Sequence, residues 1–220
     1  MENESSNDLT KKKLLLIGGG GHCHSVIDSL LFANAYDEIG IVDNKLTSSC
    51  LGVPVIGTDN DLYSLFKNGW KYAAITVGSV GNVSIRKRLF QMAKEIGFMV
   101  PTIIDQSAII AKRVIIEEGC FIGKRAILNA GAILHTCCIV NTGSIVEHDC
   151  EIGEFSHISP GSVLCGQVLV GNNTHIGAGS VVRQQIKIGP NALIGAGSVV
   201  VENIPENVKA YGNPCRVVKE

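Results

Sequence analysis

The sequence is poor in aromatic residues and has no surplus of either charge. Phe, Trp and Tyr together make up 5% of its 220 residues, and the formal net charge is −1 at pH 7. Because a nucleic-acid-binding protein normally has a basic surplus, this balance argues against a nucleic acid as partner. The scarcity of aromatics, together with 25 glycines, predicts a tightly coiled core of small aliphatic side chains.

The sequence also lacks a long apolar run. No stretch approaches the roughly 20 apolar residues of a membrane-spanning helix, so no membrane partner is expected. The first ten residues are polar, and three lysines at positions 11–13 precede an apolar run of only four residues. That run is too short for a signal peptide. We therefore expect a cytoplasmic protein whose residues 1–13 form a flexible N-terminal tail.

The eight cysteines contain no CxxC pair, which excludes a zinc knuckle and a thioredoxin motif. In the cytoplasm they should be reduced. We expect most of them to be small buried hydrophobic residues.

A six-residue period organises the second half of the chain. From Ile104 to Val200 every sixth residue is Ile, Leu or Val, and the residue four positions after each is mostly small. A hexapeptide with one large and one small inward residue is typical of a parallel β-helix. Three hexads make one triangular turn, so the seventeen hexads predict nearly six stacked turns, about 4.8 Å apart.

The first hundred residues have a different pattern, in which strands alternate with helices. Strands are predicted at 14–17, 38–42, 53–56 and 72–77, and helices at 25–32, 59–66 and 82–96, the second capped by Asp59. This alternation predicts an open, Rossmann-like α/β sheet. We therefore predict two domains, an α/β domain over residues 14–100 and a β-helix over residues 101–220.

Open α/β sheets bind ligands at the carboxyl ends of their strands. Three predicted strand ends carry candidate residues, namely residues 18–22, Asp43 with Asn44, and Gly78. The dinucleotide motif GxGxxG is not complete, because its last position is Cys23. The pattern therefore favours a nucleotide moiety over a whole NAD, and a purely structural glycine turn is the alternative.

Four of the six histidines lie in the coil, and none occupies a large inward position. His148 lies between Glu147 and Asp149, and a carboxylate beside an imidazole can orient it and raise its basicity. Gly166 follows 18 residues later, where its missing side chain predicts an open pocket over His148. His157 and His175 are also 18 residues apart and should stack.

These residues carry a resemblance to a known family. The stretch 146–160, Val-Glu-His-Asp-Cys-Glu-Ile-Gly-Glu-Phe-Ser-His-Ile-Ser-Pro, resembles the catalytic segment of the bacterial bacillosamine, perosamine and sialic-acid acetyltransferases. The family's N-terminal nucleotide-sugar domain is similar to Ile17-Gly-Gly-Gly-Gly-His22, Asp43-Asn44, and Thr76-Val-Gly with Gly81-Asn82 and Arg86. The ending Gly212-Asn-Pro-Cys-Arg216 is similar to the family's usual ending, with Cys where Ala is common.

The resemblance implies a left-handed β-helix and an acetyl-CoA-dependent N-acetyltransferase without a metal, acting on the amine of a nucleotide-linked amino sugar such as a UDP-4-amino-dideoxy sugar. By it, His148 is the general base, and Asp149 raises its basicity. Positions that contact acetyl-CoA are matched by His157, Gly166, Ala178 and Ala196. Positions that hold the nucleotide sugar are matched by Gly20, Gly21, His22, Asp43, Asn44 and Gly78. The family assembles as homotrimers, with acetyl-CoA bound between neighbouring coils.

Three alternatives stay open. The acceptor could be a hydroxyl group, as in O-acetylation of sialic acid. A carbonic-anhydrase-like zinc site is disfavoured, because zinc catalysis needs three ligands and the coil histidines lack the pair five residues apart that this family shows. A non-catalytic scaffold would need neither the His148–Asp149 pair nor the unusual Gly166.

Overall fold

The computed structural model describes residues 11–218, which form two units. The first comprises the described residues up to Gly78 together with Ser84–Pro101, and the second comprises Ser79–Val83 and the described residues from Thr102 onward. Most of the predicted tail, residues 1–10, lies outside the described residues. Its last residue, Lys13, is the first residue of a strand. No helix within residues 11–218 is long and apolar enough to cross a membrane.

The first unit is an open parallel sheet flanked by helices, as predicted. Its elements are β1 (Lys13–Ile17), α1 (Gly21–Ala33), β2 (Glu38–Val42), β3 (Val55–Gly57), a 3₁₀ turn (Asp59–Asp61), α2 (Leu62–Lys67), β4 (Tyr72–Ile75) and α3 (Ser84–Ile96). The strand order is β3-β2-β1-β4, and all pairs are parallel. Every residue of β1 is buried, as expected of a central strand in a parallel sheet.

All three helix starts differ from the prediction, that of α3 by only two residues, since it begins at Ser84. Helix α1 begins at Gly21, four residues early, because Gly20 in extended conformation serves as its N-cap. Asp59 does not cap a helix. The capping box is formed by Thr58 and Asp61, whose carboxylate accepts hydrogen bonds from both the backbone N–H and the hydroxyl of Thr58. Asp59 and Asp61 are both acidic residues near a turn, so the sequence alone did not separate them.

The second unit is built from seventeen two-residue strands, β5 to β21, followed by β22 (Lys209–Gly212) and β23 (Cys215–Val217). The seventeen strands are Ile103–Ile104, Ile109–Ile110, Ile115–Ile116, Phe121–Ile122, Ile127–Leu128, Ile133–Leu134, Ile139–Val140, Ile145–Val146, Glu151–Ile152, His157–Ile158, Val163–Leu164, Leu169–Val170, His175–Ile176, Val181–Val182, Lys187–Ile188, Leu193–Ile194 and Val199–Val200.

Consecutive strands belong to different sheets, so the chain winds around three faces. The first face contains β5, β8, β11, β14, β17, β20, β22 and β23, the second β6, β9, β12, β15, β18 and β21, and the third β7, β10, β13, β16 and β19. Partners within a face lie 18 residues apart, as His157 does from both Ile139 and His175. The structure is therefore the parallel β-helix that the six-residue period predicts, of the left-handed kind that the resemblance implies.

The inward side chains of the coil form one continuous core. From Ile122 to Val200 the large residue of every hexad is buried. The prediction is wrong for the first turn, where Ile104 is 41% exposed, because β5 is the edge strand of its sheet and is covered by a neighbour on one side only. All eight cysteines are free thiols, and seven are buried. Cys138 and Cys150 occupy small inward positions and donate weak hydrogen bonds to backbone carbonyls.

A charged cluster bridges three successive turns of the coil. His135 Nδ1 lies 2.9 Å from Glu117 Oε1, and its Nε2 lies 2.9 Å from Glu151 Oε1. The hydrogen bonds to Glu151 and Glu117 raise the pKa of His135 above its ordinary value. The hydrogen bonds from His135 and Thr136 lower the pKa of Glu117.

These shifts predict how the stability of the coil depends on pH. Because the pKa of His135 is raised in the folded state, this group adds to the free energy of unfolding. The whole of this stabilisation is present below the pKa of the unfolded state, about 6.5, and it is lost as the pH rises through the pKa of the folded state. Because the pKa of Glu117 is lowered in the folded state, its stabilisation is fully present above the unfolded-state pKa of a glutamate, about 4.3, and is lost as the pH falls below it. Urea unfolding of the wild type and of His135→Gln should therefore differ most between these values and converge at alkaline pH. A difference that does not change with pH would contradict this.

Candidate active site

His148 and Asp149 form a hydrogen-bonded pair at the corner between the second and third faces. His148 Nδ1 lies 2.9 Å from Asp149 Oδ2, and both side chains are 58% exposed. Since a carboxylate only accepts hydrogen bonds, the Nδ1 proton is the one donated. The Nε2 lone pair is then available to accept a proton. The pair has the arrangement of a general base with an orienting carboxylate.

The imidazole of His148 lies directly against Gly166 of the next turn. A Cβ built on Gly166 would lie 2.5 Å from Cε1 and 3.0 Å from Cδ2 of the ring. The predicted open pocket is therefore wrong, because the ring itself fills the space that the glycine leaves. The 18-residue spacing correctly placed the two residues next to each other, but it does not determine the orientation of the imidazole.

A second corner, between the first and second faces, has a smooth outer surface. Ala178 and Ala196 lie there one turn apart, and both are exposed. Each is followed by a glycine with φ between 66° and 69°, as is Pro160 one turn before them, and among the described residues no atom lies within 4 Å of a Cβ added at these glycines. Backbone without side chains allows a ligand to approach closely.

The second face, which lies between these two corners, carries an apolar ladder. We use this name for the outward residues of its six strands, Ile109, Ile127, Ile145, Val163, Val181 and Val199. They are aligned in register along the face. All six are partly or fully exposed, Ile109 by 63% and Val181 by 39%. A continuous exposed apolar strip of this kind marks an interaction surface.

His157 lies on the first face and not beside His148. Its Nε2 is 3.2 Å from the amide nitrogen of Asn141, and its Nδ1 is 3.0 Å from the carbonyl oxygen of Ser79. The side chain therefore holds the segment Ser79–Val83 on the coil. His157 and His175 are neighbours, as the spacing predicts, but their rings meet edge to face at 85° and do not stack. Burial lowers the pKa of His175.

In the α/β unit, the turn after β1 leads directly into α1. Gly20 is the N-cap of this helix, and among the described residues no atom lies within 4 Å of a Cβ added at Gly20 or Gly21. The first backbone N–H groups of a helix favour an anion such as a phosphate. His22 lies next to Gly78, since a Cβ on Gly78 would be 3.4 Å from that of His22. The structure thus brings together the ends of β1 and β4.

Asp43 and Asn44 bind other parts of the same strand-end region. The carboxylate of Asp43 accepts backbone N–H groups of Gly19, Lys45 and Leu46 at 2.7–2.8 Å. Burial raises its pKa, but these three donors outweigh burial and hold the pKa below its ordinary value. The amide of Asn44 both donates to and accepts from Asp59. Sequence reasoning did not foresee that both side chains build the turn themselves.

Sequence reasoning also missed the role of Arg86. Its guanidinium is buried and donates to the carbonyl oxygens of Ile75 and Val77, at 3.3 and 2.7 Å. It thereby fixes the chain just before Gly78. The spacing contains a signal for this, because Arg86 lies on the same helical face as the buried Leu89 and Ala93 of α3.

Within residues 11–218, no group of three or more His, Cys, Asp and Glu side chains is arranged to hold a metal ion. The absence of a metal from the reaction stays a prediction.

Comparison with known proteins gives matches along nearly the whole chain. The PglD N-terminal domain matches residues 13–93. The hexapeptide repeat of succinyl-transferase matches residues 113–148, and the bacterial transferase hexapeptide, six repeats, matches residues 167–202.

Two solved structures match both units. The acetyltransferase domain of PglB from Neisseria gonorrhoeae, in complex with acetyl coenzyme A, is 36% identical with a TM-score of 0.90, over 94% of this chain and 100% of that one. Perosamine N-acetyltransferase from Caulobacter crescentus, in complex with CoA and GDP-perosamine, is 33% identical with a TM-score of 0.90, over 94% and 97%. In two structures of that enzyme, one histidine is replaced, by asparagine or by alanine.

Proposed function

Since the chain belongs to the family of hexapeptide-repeat acetyltransferases that carry a PglD N-terminal domain, we propose that it acetylates the amine of a nucleotide-linked amino sugar. Family membership makes it an acetyl-CoA-dependent acyltransferase and removes the scaffold alternative. The observation that carries the proposal is the His148–Asp149 pair lying against Gly166. An amine acceptor is favoured over a hydroxyl because the perosamine enzyme is an N-acetyltransferase.

The reaction is a direct attack. The sugar amine forms a bond to the thioester carbonyl carbon, and His148 Nε2 accepts the proton that the nitrogen loses. The carbon–sulfur bond then breaks, and the proton passes to the leaving sulfur of CoA. Asp149 holds the Nδ1 proton and stabilises the imidazolium. Positioning the two substrates against this base supplies the rest of the catalysis, with neither a metal nor a covalent enzyme intermediate.

Acetyl-CoA is proposed to lie along the smooth corner of Ala178 and Ala196. The exposed backbone there leaves space for an extended chain, and Gly166 with His148 marks the reacting end. His157 is also proposed to contact acetyl-CoA. Both of its ring nitrogens are already used within the protein, so its contact with the cofactor would be through the ring carbons or the backbone.

The nucleotide sugar is proposed to lie at the strand ends of the α/β unit. The open N-terminus of α1 at Gly20 and Gly21 suits a diphosphate, and His22 with Gly78 borders the same turn. Asp43 has one acceptor position left after its three backbone donors, since a carboxylate has about four. Asn44 contributes mainly by fixing Asp59. The acceptor assay identifies the nucleotide, UDP or GDP.

Asp43→Ala should weaken the binding of a nucleotide sugar about ten- to a hundred-fold. This is the usual cost of losing a hydrogen bond to a charged group, about 1.5–3 kcal/mol. Acetyl-CoA affinity should barely change, since its proposed contacts lie in the coil. Calorimetric titration of each ligand measures both effects.

The matched control for this variant is Asp37→Ala. Asp37 accepts the backbone N–H of Lys12 at 2.7 Å and lies at the opposite, amino end of β2. It should affect stability without affecting nucleotide-sugar affinity. If Asp43→Ala leaves that affinity untouched, the N-terminal site is wrong and the acceptor is a free sugar or amino acid.

We further propose a homotrimer, with the apolar ladder covered by neighbouring copies and acetyl-CoA bound between coils. Burying six aliphatic side chains against a neighbouring copy is favourable. On one coil the ladder separates the two corners of the proposed site. An acetyl-CoA bound between coils would therefore contact the corner of Ala178 and Ala196 on one copy, and His148 with Gly166 on the next. Light scattering should therefore report three times the monomer mass. A stable and active monomer would contradict the assembly.

We also propose the cytoplasmic location that the sequence predicts.

The proposed function is tested with a panel of acceptors. Each is mixed with acetyl-CoA, and the released thiol is measured for GDP- and UDP-linked 4-amino sugars, their 4-hydroxyl counterparts and the free amino sugars. We expect turnover with a nucleotide-linked amine and a product that resists hydroxylamine, as an amide does. A hydroxylamine-labile product would identify O-acetylation. Turnover with the free sugar alone would contradict the nucleotide site.

A further inference from the structure

We propose that Gly131 is a positioning residue for acetyl transfer, because its missing side chain provides the space in which the carboxylate of Asp149 lies. The inference rests on the proposed function, since it concerns the base pair formed by His148 and Asp149. The pair then lies between two glycines, Gly131 one turn below and Gly166 one turn above.

Asp149 occupies a corner position whose equivalents form ladders along the coil. The residues at this position are Gly131, Asp149, Gln167 and Gln185, each 18 residues from the next. The amide of Gln185 donates to Gln167, and at another corner Asn173, Asn191 and Asn207 are linked in the same way. Asp149 instead bonds sideways to His148 and extends toward the turn below.

The position of the carboxylate depends on the space at Gly131. A Cβ built on Gly131 would lie 2.5 Å from Asp149 Oδ1, closer than real Cβ contacts come. The other oxygen of the same carboxylate accepts the Nδ1 proton of His148. A side chain at 131 would therefore move Asp149 and break the bond that fixes the tautomer of His148.

Backbone conformation alone does not require a glycine at this position. Gly131 has φ of 77°, but Asp149, Gln167 and Gln185 at the equivalent corners have φ of 58°–63° with full side chains. Gly143 also has a left-handed conformation, with φ of 66°, and has no atom of the described residues within 4 Å of an added Cβ. Gly131 and Gly143 thus share the strain of a substitution and differ in whether a carboxylate is displaced.

The test compares Gly131→Ala with Gly143→Ala by ¹⁵N NMR of histidine side chains, at about pH 8, where an ordinary imidazole is neutral. The signal of His148 is assigned from its loss in His148→Gln. We expect Gly143→Ala to keep the proton on Nδ1 and Gly131→Ala to shift it toward Nε2. Gly131→Asn, which suits a left-handed backbone, is the second variant if Gly131→Ala folds poorly. An unchanged tautomer in a folded Gly131 variant overturns the inference.

A kinetic cycle separates this positioning role from backbone strain. Gly131→Ala should lower kcat by about the same factor as Asp149→Ala and leave the KM for acetyl-CoA unchanged. In an Asp149→Ala background, Gly131→Ala should lower kcat by less than about a further twofold, because there is no carboxylate left to displace. An equal loss in both backgrounds would overturn the positioning role. A shifted tautomer with wild-type turnover would instead contradict His148 as the base, and with it the proposed mechanism.

Discussion

Replacing His148 with alanine is expected to lower kcat by about 10²–10⁴-fold, the usual contribution of a general base. Its Nε2 is the atom left free to accept the proton, because Nδ1 is held by Asp149. Since the side chain is more than half exposed, its removal should leave the core and the melting temperature unchanged. Steady-state kinetics with acetyl-CoA and a nucleotide-linked amino sugar measure the effect.

The matched control is His135→Ala. His135 is a coil histidine between two glutamates, so its loss should reduce stability and leave kcat near the wild-type value. Asp149→Asn should be milder than His148→Ala, because it alters the orientation of the base without removing it. A folded His148→Ala with near-normal turnover would show that another group, or solvent, accepts the proton.

Gly166→Val is expected to abolish most activity while the coil stays folded. Gly166 lies in the turn between β15 and β16 and is not one of the glycines with a positive φ, so its backbone accepts a side chain. The Cβ of that side chain would occupy the place of the His148 ring. The exposed imidazole can turn away into solvent, so the cost is to catalysis and not to the core. We expect a loss of at least about a hundred-fold in kcat, approaching that of His148→Ala.

The measurement pairs the melting temperature of Gly166→Val with its rate and its acetyl-CoA affinity. In a His148→Ala background the substitution should cause little further loss of rate, because the ring it displaces is already gone. A large further loss would mean that Gly166 acts mainly by giving acetyl-CoA room. Unchanged rate and affinity in the single variant would show that this corner is not the reaction site.

The architecture of the coil could be predicted because it depends on one large inward residue in every six. The repeat from Ile104 to Val200 fixes which side chains are inside, and burial of the aliphatic core then fixes the 18-residue turn. The prediction fails at Ile104, where the position in the repeat is right but the edge strand β5 has a neighbour on one side only. A repeat pattern contains no information about where the stack ends.

The candidate site could be predicted as a set of neighbours but not as a geometry. Spacing placed His148 beside Gly166 and His157 beside His175. It did not contain side-chain directions, so the filled space at Gly166, the edge-to-face histidine rings and the space under Asp149 needed coordinates. Likewise, Asp43 was predicted as a ligand residue from its place after a strand, and its three backbone donors emerge only from the folded turn.

The most direct test is a crystal structure of His148→Ala with CoA and the nucleotide-linked amino sugar that the acceptor assay identifies. We predict the sugar amine and the CoA sulfur at the outer surface of Gly166. The amine should lie within about 2.6–3.2 Å of the position that Nε2 of His148 occupies in the wild type. A sugar amine bound away from this corner, with the site of His148 filled only by solvent, would contradict the account.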